Sequence, residues 1–132
     1  MCRVLLYKNM IEIKITIDSA LNLLLERMNL ELKLRQRDKI IPLGSSFDSL
    51  RYDQLFPIVE ASLFDTIFLL PVDLVSQDTN LVNIITLTVR ALSRILHRNE
   101  FQEFTSVDAE KLIRPIINYF KDNPSKKNFQ NN

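Results

Sequence analysis

The sequence is poor in the residues that build disulfides and metal sites. Its 132 residues include one cysteine, Cys2, and one histidine, His97. A single cysteine cannot form an internal disulfide, which is typical of the reducing cytoplasm. The two residues cannot supply the ligands of a His/Cys zinc site, and Cys2 stands in a terminus, where a Cys–His nucleophilic pair is not expected. We therefore predict no metal site.

Long apolar runs are also absent. No stretch of about 18 or more apolar residues occurs, so the sequence predicts no membrane span. The apolar run in the first ten residues is too short for a secretory signal, and no small-residue cleavage site follows it. Hydrophobic residues make up 46% of the chain, which is enough for a core. We predict a single cytoplasmic domain.

The charges are unevenly distributed along the chain. Residues 45–89 contain six acidic residues against one arginine, a net charge of −5, and each flank has eight basic and five acidic residues, a net charge of +3. An acidic block of this kind attracts a basic partner over a distance. The alternative is an ordinary solvated surface, and charge alone leaves both interpretations open.

The first third of the chain predicts a short β segment followed by a helix and a loop. Residues 11–17 alternate apolar and polar residues, which is strand periodicity with β-branched residues. From Asp18 the apolar period becomes helical, with Thr16 or Asp18 as the cap and the end near Asn29. Residues 30–48 have no clean period, and we predict a long loop there.

Proline complicates the prediction for the middle of the chain. Residues 49–68 are rich in apolar residues, but Pro57 inside them would cost an interior helix about 3 kcal/mol. Either a helix begins near Ser49 and kinks, or a short turn precedes a helix that begins at Pro57; we favour a break or kink near Phe56. Residues 69–75 predict a turn and a short helix opening at Pro71.

The last two helices have clear signals. Thr79 or Asn80 caps a helix that runs to about His97, and Thr105 or Ser106 caps a final helix that Pro115 bends. The predicted fold is therefore mostly α, a small bundle of four to five helices with a short N-terminal β segment. We predict an N-terminal extension (1–15), a main helical domain (16–97), an additional C-terminal helix (98–121) and a flexible tail (122–132).

The only glycine, Gly44, stands just before an Asp-Ser-Leu triplet, in IPLGSSFDSL. The order of helix, long loop, Leu43-Gly44, Asp48-Ser49-Leu50 and the later Pro71 and Asp73 resembles the acyl and peptidyl carrier proteins. The resemblance implies a carrier-like helical bundle with 4′-phosphopantetheine on Ser49, holding an acyl or aminoacyl cargo as a thioester, in fatty acid, polyketide or nonribosomal peptide biosynthesis. It places Asp48 and Leu50 beside the attachment site. It also implies that the protein is not an enzyme, because the arm carries the cargo and the protein itself needs no catalytic residues.

The resemblance also implies partners, namely a phosphopantetheinyl transferase and the enzymes that load or use the cargo. Such enzymes would recognise acidic residues of the second helix, here Asp53, Glu60 and Asp65. Gly44 would be the turn residue that lets the loop present Ser49. The alternative function is a helical interaction or adaptor domain without a prosthetic group, as a homodimer if apolar helix surface is left over. We interpret three aromatic residues as core, namely Phe56, Phe64 and Phe68.

Overall fold

The computed structural model describes residues 2–70 and 78–123 and confirms a small helical bundle. Within these ranges the chain forms four α-helices and no strand: α1 (Cys2–Arg37), α2 (Tyr52–Leu69), α3 (Asp78–Leu96) and α4 (Ser106–Asp122). A 3₁₀ helix, Asn99–Glu103, connects α3 to α4. The short helix predicted to open at Pro71 and the tail from residue 124 lie outside the described residues.

The beginning of α1 differs from the sequence-based expectation. The β segment predicted at residues 11–17 is wrong, because the backbone there is helical. Strand propensity is a weak preference that context overrides, and Leu6, Met10, Ile13 and Ile17 recur at helical spacing. The predicted caps at Thr16 and Asp18 are consequently interior residues of α1, and the predicted boundary between residues 15 and 16 falls within it.

The end of α1 also differs. The helix ends at Arg37 and not near Asn29, so residues 30–37 are helical and the connecting loop is shorter than predicted. This segment consists mostly of strong helix formers, and Glu31 and Arg35 form an ion pair of 2.9 Å one turn apart. The absence of a clean apolar period indicates a solvated helix here and not a loop.

The second helix begins at Tyr52 and continues across Pro57 to Leu69. The two predicted alternatives, a start at Ser49 and a start at Pro57, are therefore both wrong, and no break occurs near Phe56. The residue that caps α2 is Arg51, whose backbone N–H donates to the side chain of Gln54 (3.1 Å). Ser49 lies on a separate turn before α2, as predicted by the alternative in which a short turn precedes the helix.

The last two helices are present where the sequence predicts them, but α3 begins at Asp78, so the predicted cap at Thr79 or Asn80 is wrong and both residues are helical. Thr105 caps α4 through a reciprocal capping box: its hydroxyl accepts from the N–H of Asp108 (3.2 Å), and its own N–H donates to the Asp108 carboxylate (2.9 Å). The third helix ends at Leu96, and the residue that follows it, His97, has a left-handed φ of 55°. The next N–H, of Arg98, donates to the carbonyl of Ser93 (3.1 Å), which satisfies a carbonyl at the helix end.

All four helices contribute to one hydrophobic core. Its fully buried side chains come from α1 (Leu24, Met28), α2 (Leu55, Leu63, Ile67), α3 (Leu81, Ile85, Leu92) and α4 (Ile113, Ile117, Phe120). The first helix packs against α2 and α3, and α4 packs on α3 and touches α2 at few positions. The separate C-terminal unit at residues 98–121 stays a prediction, but its helix fills part of this core.

Candidate functional site

The Asp-Ser-Leu segment lies on the turn before α2 and not at the helix N-terminus. The Ser49 hydroxyl accepts from the N–H of Ser46 (2.9 Å) and donates to the carbonyl of the same residue (3.0 Å). Both Asp48 and Ser49 are exposed, whereas Leu50 is buried in the core. The serine is therefore accessible, but its hydroxyl already has two local partners and lies three residues before the first residue of α2.

Gly44 is the turn residue that the sequence predicts. Its φ of 81° is left-handed, which favours glycine, and nothing lies within 4 Å of the place a Cβ would occupy. The N–H of Ser45 donates to the carbonyl of Pro42 across the turn (3.2 Å). The side chain of Gln36, in the last turn of α1, donates to the carbonyl of Ser45 (3.0 Å) and holds this turn against α1.

Arg98 binds the other end of the loop through hydrogen bonds, which the sequence did not predict. One guanidinium nitrogen donates to the carbonyls of Phe47 (3.0 Å) and Leu50 (2.7 Å), so that it brackets Asp48 and Ser49. The same side chain forms an ion pair with Glu100 (2.9 Å), which lowers the pKa of that carboxyl. No local sequence signal could reveal this contact, because its partners are 48 and 51 residues away.

The three acidic residues predicted to meet partners are all exposed on α2. Asp53 forms an ion pair with Arg51 (3.2 Å), and neither Asp53 nor Asp65 lines the groove between α2 and α4. Glu60 alone among them lines that groove. Partner binding by the three residues stays a prediction.

That groove lies between α2 and α4 and has a volume of about 910 Å³. We call it the α2–α4 groove. One stripe of α2, at helical spacing, forms its first wall: Tyr52, Phe56, Pro57, Glu60, Ala61 and Phe64. A stripe of α4 forms the second: Asp108, Lys111, Leu112, Pro115 and Ile116. The remaining lining comes from Arg35 at the end of α1 and from Glu100, Glu103 and Phe104 around the 3₁₀ helix.

Contacts between aromatic rings give the relative direction of α2 and α4, the two helices that form the walls. Tyr52, at the start of α2, lies 5.7 Å from the ring of Phe101 in the 3₁₀ helix, and Phe64 lies 5.6 Å from Tyr119 and 5.5 Å from Phe120 near the end of α4. The two helices therefore run in the same direction. They meet at this aromatic cluster and stand apart over their first turns, which leaves the groove open between them.

The predicted core assignment of the three phenylalanines is only partly right. Phe56 and Phe64 are half-buried, pack against the core and line the groove. Phe68 is 41% exposed, with its ring 5.8 Å from Phe120. These side chains thus leave aromatic surface accessible on the α2 side of the molecule.

The rim of the groove is mostly acidic. It has four carboxylates, Glu60, Glu100, Glu103 and Asp108, against two cations. Burial, together with the charges of Glu100 and Asp108, raises the pKa of the Tyr52 phenol that lies between them. The capping hydrogen bonds from Thr105 lower the pKa of Asp108, so this carboxylate stays charged.

Comparison of the chain with protein-family models, with curated proteins and with solved structures finds no match. Within residues 2–70 and 78–123, no helix is long and apolar enough to cross a bilayer. The same part of the chain contains no group of three His, Cys, Asp or Glu side chains placed to hold a metal ion. The fold and the site define a small helical bundle with an apolar groove and an acidic rim.

Proposed function

We propose that this protein is a helical interaction domain that binds a helical segment of a partner protein in the α2–α4 groove, without a prosthetic group. The observation that carries the proposal is the pair of facing helix stripes with Phe56, Ala61, Phe64, Leu112 and Ile116 between them. Helix-in-groove recognition uses an apolar floor of this kind, into which a partner helix lays its apolar face.

The dimensions of the groove suit a helix. The α2 stripe from Tyr52 to Phe64 covers twelve residue steps, about 18 Å at a rise of about 1.5 Å per residue. This length matches about three turns of a partner helix, which presents its apolar anchors at i, i+3 or i+4, and i+7. Half-exposed aromatic side chains are frequent anchoring positions in such interfaces.

A selection with displayed helical peptides tests this function. Peptides with randomised anchor positions would be selected on the wild-type protein, on Ala61→Arg, which fills the groove, and on Asn83→Arg. The second variant is the control, since it adds the same side chain at an exposed position of α3 outside the groove. We expect enrichment on the wild type and on Asn83→Arg, and at least tenfold less on Ala61→Arg. Equal enrichment on all three proteins would refute the proposal.

A second copy of this chain is an alternative occupant of the groove. In that case sedimentation of the wild type would show a dimer at micromolar concentration, and Ala61→Arg would return it to a monomer. A dimer that persists in Ala61→Arg would place the self-contact elsewhere, for instance on the exposed Leu30 and Leu34 of α1.

The carrier function remains a second proposal, supported by the exposure of Ser49 on a turn that the left-handed Gly44 helps to form. The fit of a phosphopantetheine arm is poor, because attachment would remove the hydroxyl hydrogen that Ser49 donates to the Ser46 carbonyl and place the phosphate before the first turn of α2. Intact mass after incubation with a phosphopantetheinyl transferase and coenzyme A decides it. One added arm that is lost in Ser49→Ala would favour the carrier over the interaction domain.

A further inference from the structure

We infer that the partner helix is basic, with arginine or lysine residues flanking its apolar anchors; this inference rests on the proposed function of the groove. The first observation is the charge of the rim. Of its two cations, Arg35 already forms an ion pair with Glu31 (2.9 Å), so Lys111 is the other positive charge that faces the four carboxylates. The rim therefore attracts cations.

Two of these carboxylates are available to a partner. Glu100 forms an ion pair with Arg98, and Asp108 caps α4. By contrast, Glu60 and Glu103 are exposed and have no hydrogen-bond or ion-pair partner in the described part of the chain. They lie on different elements, α2 and the 3₁₀ helix, and could therefore accept from basic residues on two different flanks of a bound helix.

One wall also carries a backbone carbonyl that receives no i+4 hydrogen bond from its own helix. Pro57 and Pro115 lie inside α2 and α4 and line the groove. A proline has no N–H, so the carbonyls four residues earlier, of Asp53 and Lys111, receive no helical hydrogen bond from it. Of these two residues Lys111 lines the groove and Asp53 does not, so the Lys111 carbonyl is the one that belongs to the groove. Arginine, with five donors in a planar fork, suits a site made of carboxylates and carbonyls.

The same inventory argues against the other chemical classes of partner. An acidic helix would bring carboxylates toward Glu60 and Glu103 with few donors to receive them. Nucleic acid binds through phosphate contacts with lysine and arginine. The rim has two such residues against four carboxylates, so it would repel phosphate. An apolar helix with uncharged flanks would bind the floor but would leave the rim unused.

The test uses three displayed libraries of 18-residue helices that share randomised apolar anchors. Their flanking positions are fixed as lysine and arginine in the first, glutamine in the second and glutamate in the third. On the full-length wild-type protein we expect the basic library to be enriched most and the acidic library least. Selected basic peptides should bind more weakly as salt rises, since each exposed ion pair contributes about a two- to fivefold factor in Kd.

A charge-neutral variant of the protein makes the test specific to the rim. In Glu60→Gln/Glu103→Gln the shape of the groove is kept, and we expect the basic peptides to bind about four- to twentyfold more weakly, with a smaller effect of salt. The matched control is Asp18→Asn/Asp65→Asn, which removes two exposed carboxylates outside the groove and should bind as the wild type does. A similar loss of binding in this control would overturn the assignment of the effect to the rim.

The outcomes separate the two proposals. If neutral or acidic libraries are enriched as well as the basic one, and the enrichment is lost in Ala61→Arg, the groove binds helices but the inference of a basic partner is wrong. If no library is enriched in a way that Ala61→Arg abolishes, the proposed function itself is wrong. Enrichment of the basic library that depends on both Ala61 and the two glutamates supports both.

Discussion

At the scale of single residues, Arg98 has the most consequential contacts, because it joins the loop before α2 to the end of α3. Its side chain is 13% exposed and donates to two carbonyls and one carboxylate. Replacing Arg98 with alanine should lower the free energy of unfolding by about 2–4 kcal/mol, since hydrogen bonds to charged groups contribute about 1.5–3 kcal/mol each and are not additive. Urea unfolding measures the change.

The control for Arg98 is Arg94→Ala, an exposed arginine in the last turn of α3, for which we expect a change within about 0.5 kcal/mol. Lysine at position 98 should restore only part of the loss, because an ammonium cannot reproduce the planar fork that reaches both carbonyls and Glu100. An equal effect of Arg94→Ala and Arg98→Ala would show that the contacts to the loop contribute nothing.

Backbone conformation gives a second prediction at this scale, with opposite signs at two positions. Gly44→Ala should destabilise the protein by about 1–2 kcal/mol, because a Cβ is unfavourable at a φ of 81° although nothing lies near it. His97→Gly should stabilise it by about 0.5–1 kcal/mol, because glycine relieves the left-handed φ of 55° at the end of α3. Thermal unfolding of the two variants would contradict this account if both shift in the same direction.

The capping box of α4 gives a prediction on pH. The pKa of Asp108 is lowered because its carboxylate accepts from the Thr105 N–H and hydroxyl, so folding is favoured by the charged form. A lowered pKa contributes stability above the ordinary value for aspartate, near 4, and loses it as the pH falls through the lower folded value. The free energy of unfolding of the wild type should therefore decrease below about pH 4, and Asp108→Asn should decrease less steeply.

Urea titrations at several pH values between 6 and 3 check the slope. Asp65→Asn serves as the control for the loss of one exposed carboxylate of α2 outside the capping box. A slope for Asp108→Asn equal to that of the wild type would mean that the capping bonds do not contribute to acid sensitivity.

At the scale of elements, the sequence predicted the helices whose signals are local. The apolar periods of α3 and α4 and the cap of α4 are contained in about twenty residues each, and the observed starts at Asp78 and Ser106 lie within three residues of the predicted ones. The end of α1 was missed because residues 30–37 form a solvated helix through ion pairing and propensity, with no apolar period to reveal it. The strand at residues 11–17 was predicted because alternating isoleucines fit both periods.

The candidate site was less predictable than the fold, because the groove depends on how two helices approach each other. Phe56 and Phe64 were interpreted as core, since apolar spacing does not distinguish a buried face from the wall of a groove. Glu60 was predicted as a partner-binding residue, but Glu103 was not, because it lies in a 3₁₀ helix far along the chain from α2. Both interior prolines line the groove, but from the sequence they are interpreted only as interruptions of their helices.

The prolines give the prediction for elements. Because α2 is continuous across Pro57, Pro57→Ala should stabilise the protein by about 1–3 kcal/mol, by adding an N–H for the Asp53 carbonyl and removing the clash with it. Thermal unfolding measures the effect, with Pro42→Ala in the loop as the control. An unchanged or lower stability of Pro57→Ala would contradict the cost assigned to a proline inside α2.

At the scale of the whole molecule, α4 is either part of one cooperative unit or an appended helix, and its burial favours the first. Ile117 is 1% exposed and belongs to the same core as the buried residues of α2 and α3. Removing one methyl group in Ile117→Val should cost about 0.5–1.5 kcal/mol. If the core unfolds as one unit, hydrogen exchange should show this loss for the slowest amides of α2 and α3 as well as for those of α4.

The matched control is Val107→Ala, an exposed residue of α4 that should leave all of these amides unchanged. In a protein whose residues 98–121 formed a separate unit, Ile117→Val would accelerate exchange in α4 alone and leave α2 and α3 as they are. That result would also bear on the groove, whose walls are α2 and α4: the distance between them would then vary with the docking of α4. A shared loss of protection means that the walls are held by the same core and that the groove is formed before a partner arrives, so that little binding free energy is spent on ordering it.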